Sequence, residues 1–219
     1  MQEEPHFDPN TEANTPSASN SELRAAARAA LRGRWTNPVL CTLVYMVIAS
    51  ITSVFTNSES TAVNLVGIAL TLFIVVPLAY GYSVAFLRHM RGEETDDLVT
   101  RPFDAFKSYS RYLGTSLLYT LLVCLWTLLL IVPGIIMSFA YAMTPYIMHD
   151  HPELTPMECI RASKAMMKGH KWQLFCLRLS FIGWALLCIL TLGIGTLWLQ
   201  PYMQCADAKF YEELKAQTK

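Results

Sequence analysis

Four long stretches without acidic or basic residues, apart from one arginine, set the strongest limit on how this chain can fold. They are residues 38–56, 62–87, 112–148 and 172–206, and Arg178 is the exception. About 20 apolar residues cross the hydrocarbon core of a bilayer. A soluble domain has about 25% charged residues, whereas this chain has 16%. The sequence therefore predicts an integral membrane protein.

The two longest runs each exceed one span and carry a turn signal near the middle. Pro133-Gly134 interrupts one run, and Gly193-Ile194-Gly195 interrupts the other. Glycine and proline favour turns, and a helix satisfies the backbone of a spanning segment by itself. We predict an all-α polytopic membrane protein with six transmembrane helices in three hairpins. The predicted spans are 38–56, 63–87, 113–132, 135–148, 172–192 and 196–211, within a membrane domain of residues 21–214.

Lysines and arginines are confined to one side of this arrangement. Of the 17 cationic residues, four precede the first span, five lie in residues 88–111, four in residues 149–171 and three at the C-terminal end. Cytoplasmic loops collect lysine and arginine, so we predict that both termini are cytoplasmic. The zero net charge argues against a globally basic nucleic-acid binder. In the predicted arrangement, this zero net charge is the sum of a charged cytoplasmic face and a nearly uncharged outer face.

Two of the predicted spans are short. Residues 135–148 would form about 21 Å of helix, whereas the hydrocarbon core is about 30 Å thick. Residues 196–211 would also form a helix shorter than the core. Such arms cross thinned bilayer or fold back as re-entrant segments against protein. A four-span arrangement with two re-entrant hairpins is the alternative, and it would break the charge asymmetry.

The chain ends are predicted to lie outside the membrane. Residues 1–20 are rich in acids, Pro, Asn, Ser and Thr, a composition that does not bury enough apolar surface to fold. We predict a disordered cytoplasmic tail there and a cytoplasmic end at residues 215–219. No basic stretch followed by an apolar one occurs in the tail, which argues against a cleaved signal peptide.

A basic amphipathic segment precedes each predicted hairpin. Residues 21–35 follow a capping residue and are rich in helix formers, and Thr155, Pro156 and Glu158 are a helix start signal. Residues 27–33 also match residues 163–169 in charge and apolarity, which indicates a repeat, with chance similarity as the alternative. We predict that these helices lie on an anionic membrane surface, rather than being merely solvated. The predicted lipid-facing cations are Arg24, Arg28, Arg32, Lys164, Lys168 and Lys171.

Several motifs resemble a known family. They are LWTLLLIVPGIIMSFAYAMTPYIM (125–148), SKAMMKGHKWQLF (163–175), LSFIGW (179–184) and TLGIGTLWLQPY (191–202). In this order and spacing they are similar to uncharacterised bacterial multi-pass membrane proteins catalogued only as a domain of unknown function. The resemblance covers roughly residues 22–214. It implies a bacterial cytoplasmic membrane location and a helical fold, but it supplies no activity and no site residue.

Arg178 is the first candidate site, because an ionisable residue inside the membrane often marks a function. It lies about 9 Å into its predicted span, close enough to the interface for its long side chain to reach polar surroundings. In a hairpin that turns near Ile194, Arg178 would lie within a turn of Asp207. We predict an ion pair between Arg178 and Asp207 with a structural role, and a substrate or ion site is the alternative.

Prolines and tyrosines in the spans form the second candidate site. Proline-broken spans beside polar aromatic groups can line a cavity. Kinked helices and interfacial tyrosine belts are the alternative interpretation of the same residues. The candidate cavity-lining residues are Pro133, Tyr141, Pro145, Tyr146, Pro201 and Tyr202.

Metal and disulfide chemistry have little support. His149, Asp150, His151 and Glu153 are metal-type side chains, but no further ligand occurs at a known zinc spacing. We interpret them as a polar turn and predict no metal and no cofactor. The six cysteines form no CxxC motif and are interpreted as apolar packing residues.

The sequence says less about activity than about location. No phosphate-binding loop, nucleophile elbow, zinc-protease helix or paired-carboxylate motif occurs, so we predict no enzyme. The favoured interpretation is a non-enzymatic membrane protein that engages membrane lipid, with a cytoplasmic protein partner or a homo-oligomer as further expectations. A small transporter is the competing hypothesis, although transporters usually carry several mid-depth ionisable groups. An intramembrane enzyme comes third.

Overall fold

The structure, a computed structural model, describes residues 18–93 and 98–217. The predicted disordered tail lies outside this range except for residues 18–20, as do residues 218 and 219. The described residues are helical and form no strand, so the prediction of an all-α fold is confirmed. The helices are α1 (Asn20–Leu31), α2 (Thr36–Thr56), α3 (Thr61–Leu70), a π-helical turn (Thr71–Val75), α4 (Val76–Met90), a 3₁₀ helix (Arg101–Ser108), α5 (Tyr109–Leu129), α6 (Ile131–Ala140), α7 (Thr144–Asp150), α8 (Pro156–Met166), α9 (Lys171–Leu179), α10 (Ile182–Leu190) and α11 (Thr196–Gln217).

Five helical stretches of the described chain are long and apolar enough to cross a membrane. Their outward faces expose large apolar side chains, for example Val54, Leu128 and Leu190. An apolar surface of this extent fits contact with lipid rather than with water. The five stretches are Thr36–Thr56, Thr61–Met90, Arg101–Leu128, Ile131–Asp150 and Lys171–Leu190.

Helix α11 does not meet the same apolar criterion, although its 22 residues extend about 33 Å at 1.5 Å per residue. It packs against α1, α2 and α4, and it buries Phe210, Tyr211 and Leu214 in the core. A helix surrounded by protein can carry charges that a lipid-facing helix cannot. The charges of α11 therefore reflect its central position.

The turn of the middle hairpin lies at Leu130, three residues before the predicted Pro133-Gly134 turn. Leu130 alone is extended (φ −162°, ψ 137°) between α5 and α6. Pro133 is the third residue of α6, where a missing backbone N–H leaves no intrahelical bond unmade. As a result, the return arm is longer than predicted, because Ile131–Asp150 is 20 residues long rather than 14.

Gly134 explains why a glycine follows that proline. A Cβ atom at this position would lie 2.4 Å from Oγ1 and 2.8 Å from Cα of Thr127 on the preceding helix. The two arms of the hairpin therefore approach each other at a distance that only glycine permits. Thus Gly134 serves helix packing and not the turn itself.

The predicted span 172–192 is broken in the structure. Helix α9 ends at Leu179, and α10 begins at Ile182, with Ser180 and Phe181 between them. The amide of Ser180 still donates to the carbonyl of Cys176, and that of Ala185 donates to the carbonyl of Phe181. Helical hydrogen bonds therefore continue on both sides of the interruption, and Lys171–Leu190 is counted as one of the five stretches long enough to cross a membrane.

Two basic surface helices share the same construction. Ser19 caps α1 and pairs with Glu22, while Thr155 caps α8 and pairs with Glu158 in the same reciprocal arrangement. In each case a glycine with positive φ follows 14 positions after the cap, Gly33 or Gly169. The match between residues 27–33 and 163–169 therefore extends over the whole of α1 and α8, from the capping residue to the glycine.

The capping carboxylates are held by directed hydrogen bonds. The backbone N–H and the hydroxyl of Ser19 donate to Glu22 at 2.7 and 2.9 Å, and the backbone bond is the main reason that the pKa of Glu22 is lowered. At α8, the hydroxyl and backbone N–H of Thr155 lower the pKa of Glu158. Both helix starts therefore keep a negative charge beside the positive end of the helix dipole.

Each of the three basic segments packs against different helices of the bundle. The 3₁₀ helix packs on α4, α8 packs on α7 and α5, and α1 packs on α11. The apolar stripe of α1, formed by Leu23, Ala27 and Leu31, is completely covered by protein. Helix α1 therefore presents its arginines outward, but its apolar face contacts the bundle rather than the lipid.

Candidate functional site

The most connected polar site is a cluster around the carboxylate of Asp150, where α4, α7 and α11 end close together. Arg91 follows the last residue of α4, Asp150 ends α7, and Tyr211, Glu212 and Lys215 lie in the last turns of α11. The side chain of Asp150 is only 6% exposed. We call these five residues the Asp150 cluster.

Every oxygen of the Asp150 carboxylate is hydrogen bonded. Arg91 donates from Nη1 to Oδ1 at 2.8 Å and from Nη2 to Oδ2 at 2.7 Å, which is the bidentate arrangement. Oδ2 also accepts from the Tyr211 hydroxyl at 2.9 Å and from Nζ of Lys215 at 2.5 Å. A carboxylate can be buried at this depth because its charge is compensated in this way.

Glu212 balances the charge of the cluster. Its Oε1 accepts from Nε of Arg91 at 2.9 Å and from Nη2 at 2.6 Å. The hydrogen bond with Asp150 is the main cause that raises the pKa of Arg91 above its usual range. Two cations and two carboxylates thus form a neutral network that joins three helix ends.

The Asp150 cluster is not evident from the sequence. Asp150 adjoins His149, His151 and Glu153 along the chain, but the structure directs these side chains to different partners. His149 accepts from Nε of Arg88 at 3.3 Å, and His151 contacts Glu153 at 2.9 Å. Within residues 18–93 and 98–217, no three potential metal ligands lie together. One feature of the sequence does point to the Asp150 cluster. The second arm of each predicted hairpin ends in charged residues.

A second arginine fixes the loop after Asp150. The guanidinium of Arg111, near the start of α5, donates to the carbonyl oxygens of His151, at 2.6 Å, Pro152 and Leu154, at 3.1 Å. The carbonyl of His151 also accepts from the backbone N–H of Leu154 at 3.2 Å, and the guanidinium adds a donor to each of the three carbonyls. The loop that leads from α7 to α8 is therefore tied to α5.

The structure brings Arg178 and Asp207 together, as expected from the sequence. Nη2 of Arg178 lies 2.9 Å from Oδ2 of Asp207, and the guanidinium also lies over the ring of Phe139, 5.6 Å from its centroid. Asp207 is buried, whereas 41% of the Arg178 side chain is exposed. The pair links α9 to α11, with α6 beside it, a geometry that suits a structural clamp.

The six predicted cavity-lining residues lie in different surroundings. Tyr141 and Tyr146 are buried against other rings, Tyr119 at 6.1 Å and Tyr211 at 5.2 Å between centroids. Pro201 is buried within α11, and Pro133 and Pro145 are half-buried. Only Tyr202 lines the large groove described next.

That groove has a volume of about 550 Å³ and lies between α1, α10 and α11. Arg24, Arg28 and Trp35 form one end, and no acidic residue lines it. The Tyr202 hydroxyl, which donates to the carbonyl of Arg24 at 3.4 Å, joins α1 to α11. The other lining residues are Trp184, Leu187, Cys188, Thr191, Gly195, Trp198 and Leu199. We call this feature the α1–α11 groove.

The predicted lipid-facing cations are placed at the surface. Arg28, Arg32, Lys164 and Lys168 are exposed. Arg24 and Lys171 are half-buried. Arg24 and Arg28 belong to the α1–α11 groove, while Arg32 lies outside it.

Comparison with known proteins places the chain in a family. No curated protein and no solved structure matches it at a significant level. A family model described as "Protein of unknown function (DUF975)" matches residues 18–138 and 127–218, which together cover nearly the whole described chain. The chain therefore belongs to this family of unknown function, in agreement with the resemblance of its motifs.

Proposed function

We propose that the protein is a six-span, non-enzymatic module of the bacterial cytoplasmic membrane that engages anionic lipid through a basic cytoplasmic face. The observation that carries the proposal is a set of cations on α1, α8 and the residues that follow them. None of these cations forms an ion pair with a described residue. They are Arg24, Arg28, Arg32, Arg34, Arg161, Lys164, Lys168 and Lys171.

The Asp150 cluster supports the six-span arrangement. It joins the C-terminal ends of α4, α7 and α11, so these three arms run in the same direction. Three parallel arms that are each preceded by an antiparallel arm give six crossings. The connections at the opposite end, residues 57–60, Leu130 and residues 191–195, contain no lysine or arginine. By the rule that places cations inside, the cluster end is cytoplasmic.

Labelling of single cysteines in intact cells would test this topology. We expect a membrane-impermeant maleimide to label Ser58→Cys and Ile194→Cys, but not Lys219→Cys until the cells are permeabilised. The wild-type chain is the control, because it carries free cysteines of its own, including the exposed Cys124. Labelling of position 219 from outside would exclude the proposed topology.

The lipid preference would be measured with spin-labelled lipids in reconstituted vesicles. We expect phosphatidylglycerol to associate more than phosphatidylcholine, and we expect added salt to weaken this preference, because surface charge interactions are screened. Changing Arg161, Lys164 and Lys168 together to Gln should lower this preference at least several-fold, because each cation contributes as much as about 1 kcal/mol, or about fivefold, before salt screens it. Arg101→Gln and Lys107→Gln are the controls, because both cations already pair with Asp104.

An equal association of the two lipids with the wild-type protein would overturn the proposal. A cytoplasmic protein partner would then become the better explanation of the basic face. The α1–α11 groove is not lined by Pro133, Pro145 or Pro201, so it does not supply the pathway that the competing transport hypothesis requires.

A further inference from the structure

The α1–α11 groove combines an apolar surface with a basic one. Its walls are apolar and aromatic, with Trp184 57% exposed and Leu187 51% exposed on α10. One end is basic, formed by Arg24 and Arg28. Aromatic and apolar walls with a few directed polar groups are typical of ligand pockets, and about 550 Å³ is within their usual size range.

The groove follows the axis of α11. Gly195 lies just before α11, and Trp198 and Tyr202 lie in its first two turns, so the lined stretch is about 10 Å long at 1.5 Å per residue. The arginines adjoin the Tyr202 end, because the Tyr202 hydroxyl contacts the carbonyl of Arg24. The charge is therefore at one end, and the apolar wall extends from it toward the uncharged turn at residues 191–195.

Packing within the chain explains why the groove is open. Helix α10 has only nine residues and exposes most of its large side chains, including Leu186, Ile189 and Leu190. Phe181 holds Tyr202 in an edge-to-face contact at 5.0 Å, which fixes the base of the groove. No side chain of the described residues fills the space above it.

We propose that the α1–α11 groove binds one anionic phospholipid, with its phosphate at Arg24 and Arg28 and an acyl chain along Trp184, Leu187 and Trp198. Charge complementarity selects this occupant. The two arginines form no ion pair with a described residue, and no carboxylate lines the groove to oppose a phosphate. Arginine forms paired hydrogen bonds with phosphate oxygens, whereas a zwitterionic headgroup would also bring a cation to this basic end.

This inference rests on the proposed function and adds a discrete site with defined stoichiometry. General attraction to a basic face involves many lipids in exchange, whereas a groove holds one lipid. The two ideas also depend on different residues. The groove depends on Arg24 and Arg28, and the wider face includes the cations of α8.

Native mass spectrometry of the full chain would test the site. The protein would be released from an uncharged detergent after titration with dioleoylphosphatidylglycerol or with dioleoylphosphatidylcholine, which have the same acyl chains. We expect one phosphatidylglycerol adduct that binds at least about tenfold more tightly than phosphatidylcholine, since each of the two arginines contributes about fivefold at a membrane surface. Free glycerol phosphate should not compete, because it lacks the acyl chain.

Matched variants separate the two parts of the site. Arg24→Gln with Arg28→Gln should abolish the preference for phosphatidylglycerol, while Arg32→Gln with Arg34→Gln, on the same basic segment outside the groove, should preserve it. Leu187→Trp should weaken the binding of both lipids by filling the groove. Leu186→Trp, at an exposed position that does not line the groove, should not.

Three outcomes would overturn the groove site. They are equal binding of the two lipids, an unchanged preference in the Arg24 and Arg28 variant, and a dimer in place of a lipid adduct, which would identify a second copy as the occupant. If the vesicle preference persists in any of these cases, the groove inference fails alone. If the vesicle preference is also absent, the proposed function fails with it.

Discussion

Replacing Asp150 with alanine is expected to lower the free energy of unfolding by about 3 kcal/mol, the lower end of the range for breaking a buried ion pair. The substitution would leave Arg91 and Lys215 without their shared carboxylate, and the Tyr211 hydroxyl without its acceptor. We place the value at the lower end because the two cations are 23% and 32% exposed and keep some access to solvent.

Thermal unfolding in detergent, followed with a thiol-reactive dye, would measure this loss. The chain suits the method because Cys41, Cys159, Cys188 and Cys205 are free and buried, so unfolding should add four reactive thiols to the exposed Cys124 and the half-buried Cys176. Glu153→Ala is the matched control, since Glu153 lies on the adjoining loop and its side chain is 63% exposed. The melting temperature of the Asp150→Asn protein should lie between those of the Asp150→Ala and Glu153→Ala proteins. Equal melting of the Asp150→Ala and Glu153→Ala proteins would show that the cluster does not hold the helix ends together.

Replacing Gly81 with alanine is expected to cost about 2 to 3 kcal/mol, as overpacking of a close contact does. An added Cβ would lie 2.1 Å from the carbonyl oxygen of Pro102 and 3.0 Å from Cβ of Ala105. The first atom belongs to the backbone, so α4 and the 3₁₀ helix would have to separate. That contact supports the region around Arg88 and Asp104.

Gly183→Ala provides the matched control in the same unfolding measurement. Gly183 is also a helical glycine, but a Cβ there would meet no atom within 4 Å. Because alanine is the better helix former, this variant should be unchanged or more stable by up to about 1 kcal/mol. If both variants melt together, the close approach of α4 and the 3₁₀ helix is not needed for stability.

Much of the fold could be predicted because membrane insertion depends on local composition. Each apolar run must satisfy its own backbone hydrogen bonds, so the helices at Thr36–Thr56 and Thr61–Met90 follow from about 20 consecutive residues. The turn at Leu130 could not be placed in this way. Proline is tolerated in the first turn of a helix as well as in a turn, and only the packing of Gly134 on Thr127 distinguishes the two positions.

Helix α11 shows why hydropathy has a limit. Its charges argue against a lipid-facing span, yet it lies among α1, α2 and α4. Hydropathy measures how well a single segment would be tolerated if lipid surrounded it. In the bundle, neighbouring helices replace lipid around α11, and which helices do so depends on the packing of the whole chain.

The candidate sites divide in the same way. The Arg178–Asp207 pair could be expected because both residues belong to one predicted hairpin, 29 positions apart. The Asp150 cluster joins residues 59 and 121 positions from Arg91. Long-range partners of this kind depend on the rotation of each helix about its axis, which the sequence of one helix does not specify.

The sequence by itself determined that the chain is helical, where its longest apolar stretches lie, and that its cations are segregated. Each of these properties is set by residues within one segment and by the surrounding lipid and water. The tertiary structure alone decided that α4, α7 and α11 end at a shared carboxylate, that α1 covers its apolar stripe with protein, and that a basic groove stays open beside α10. Those features require side chains from separate segments to meet, and only the packing of the whole bundle determines which of them do.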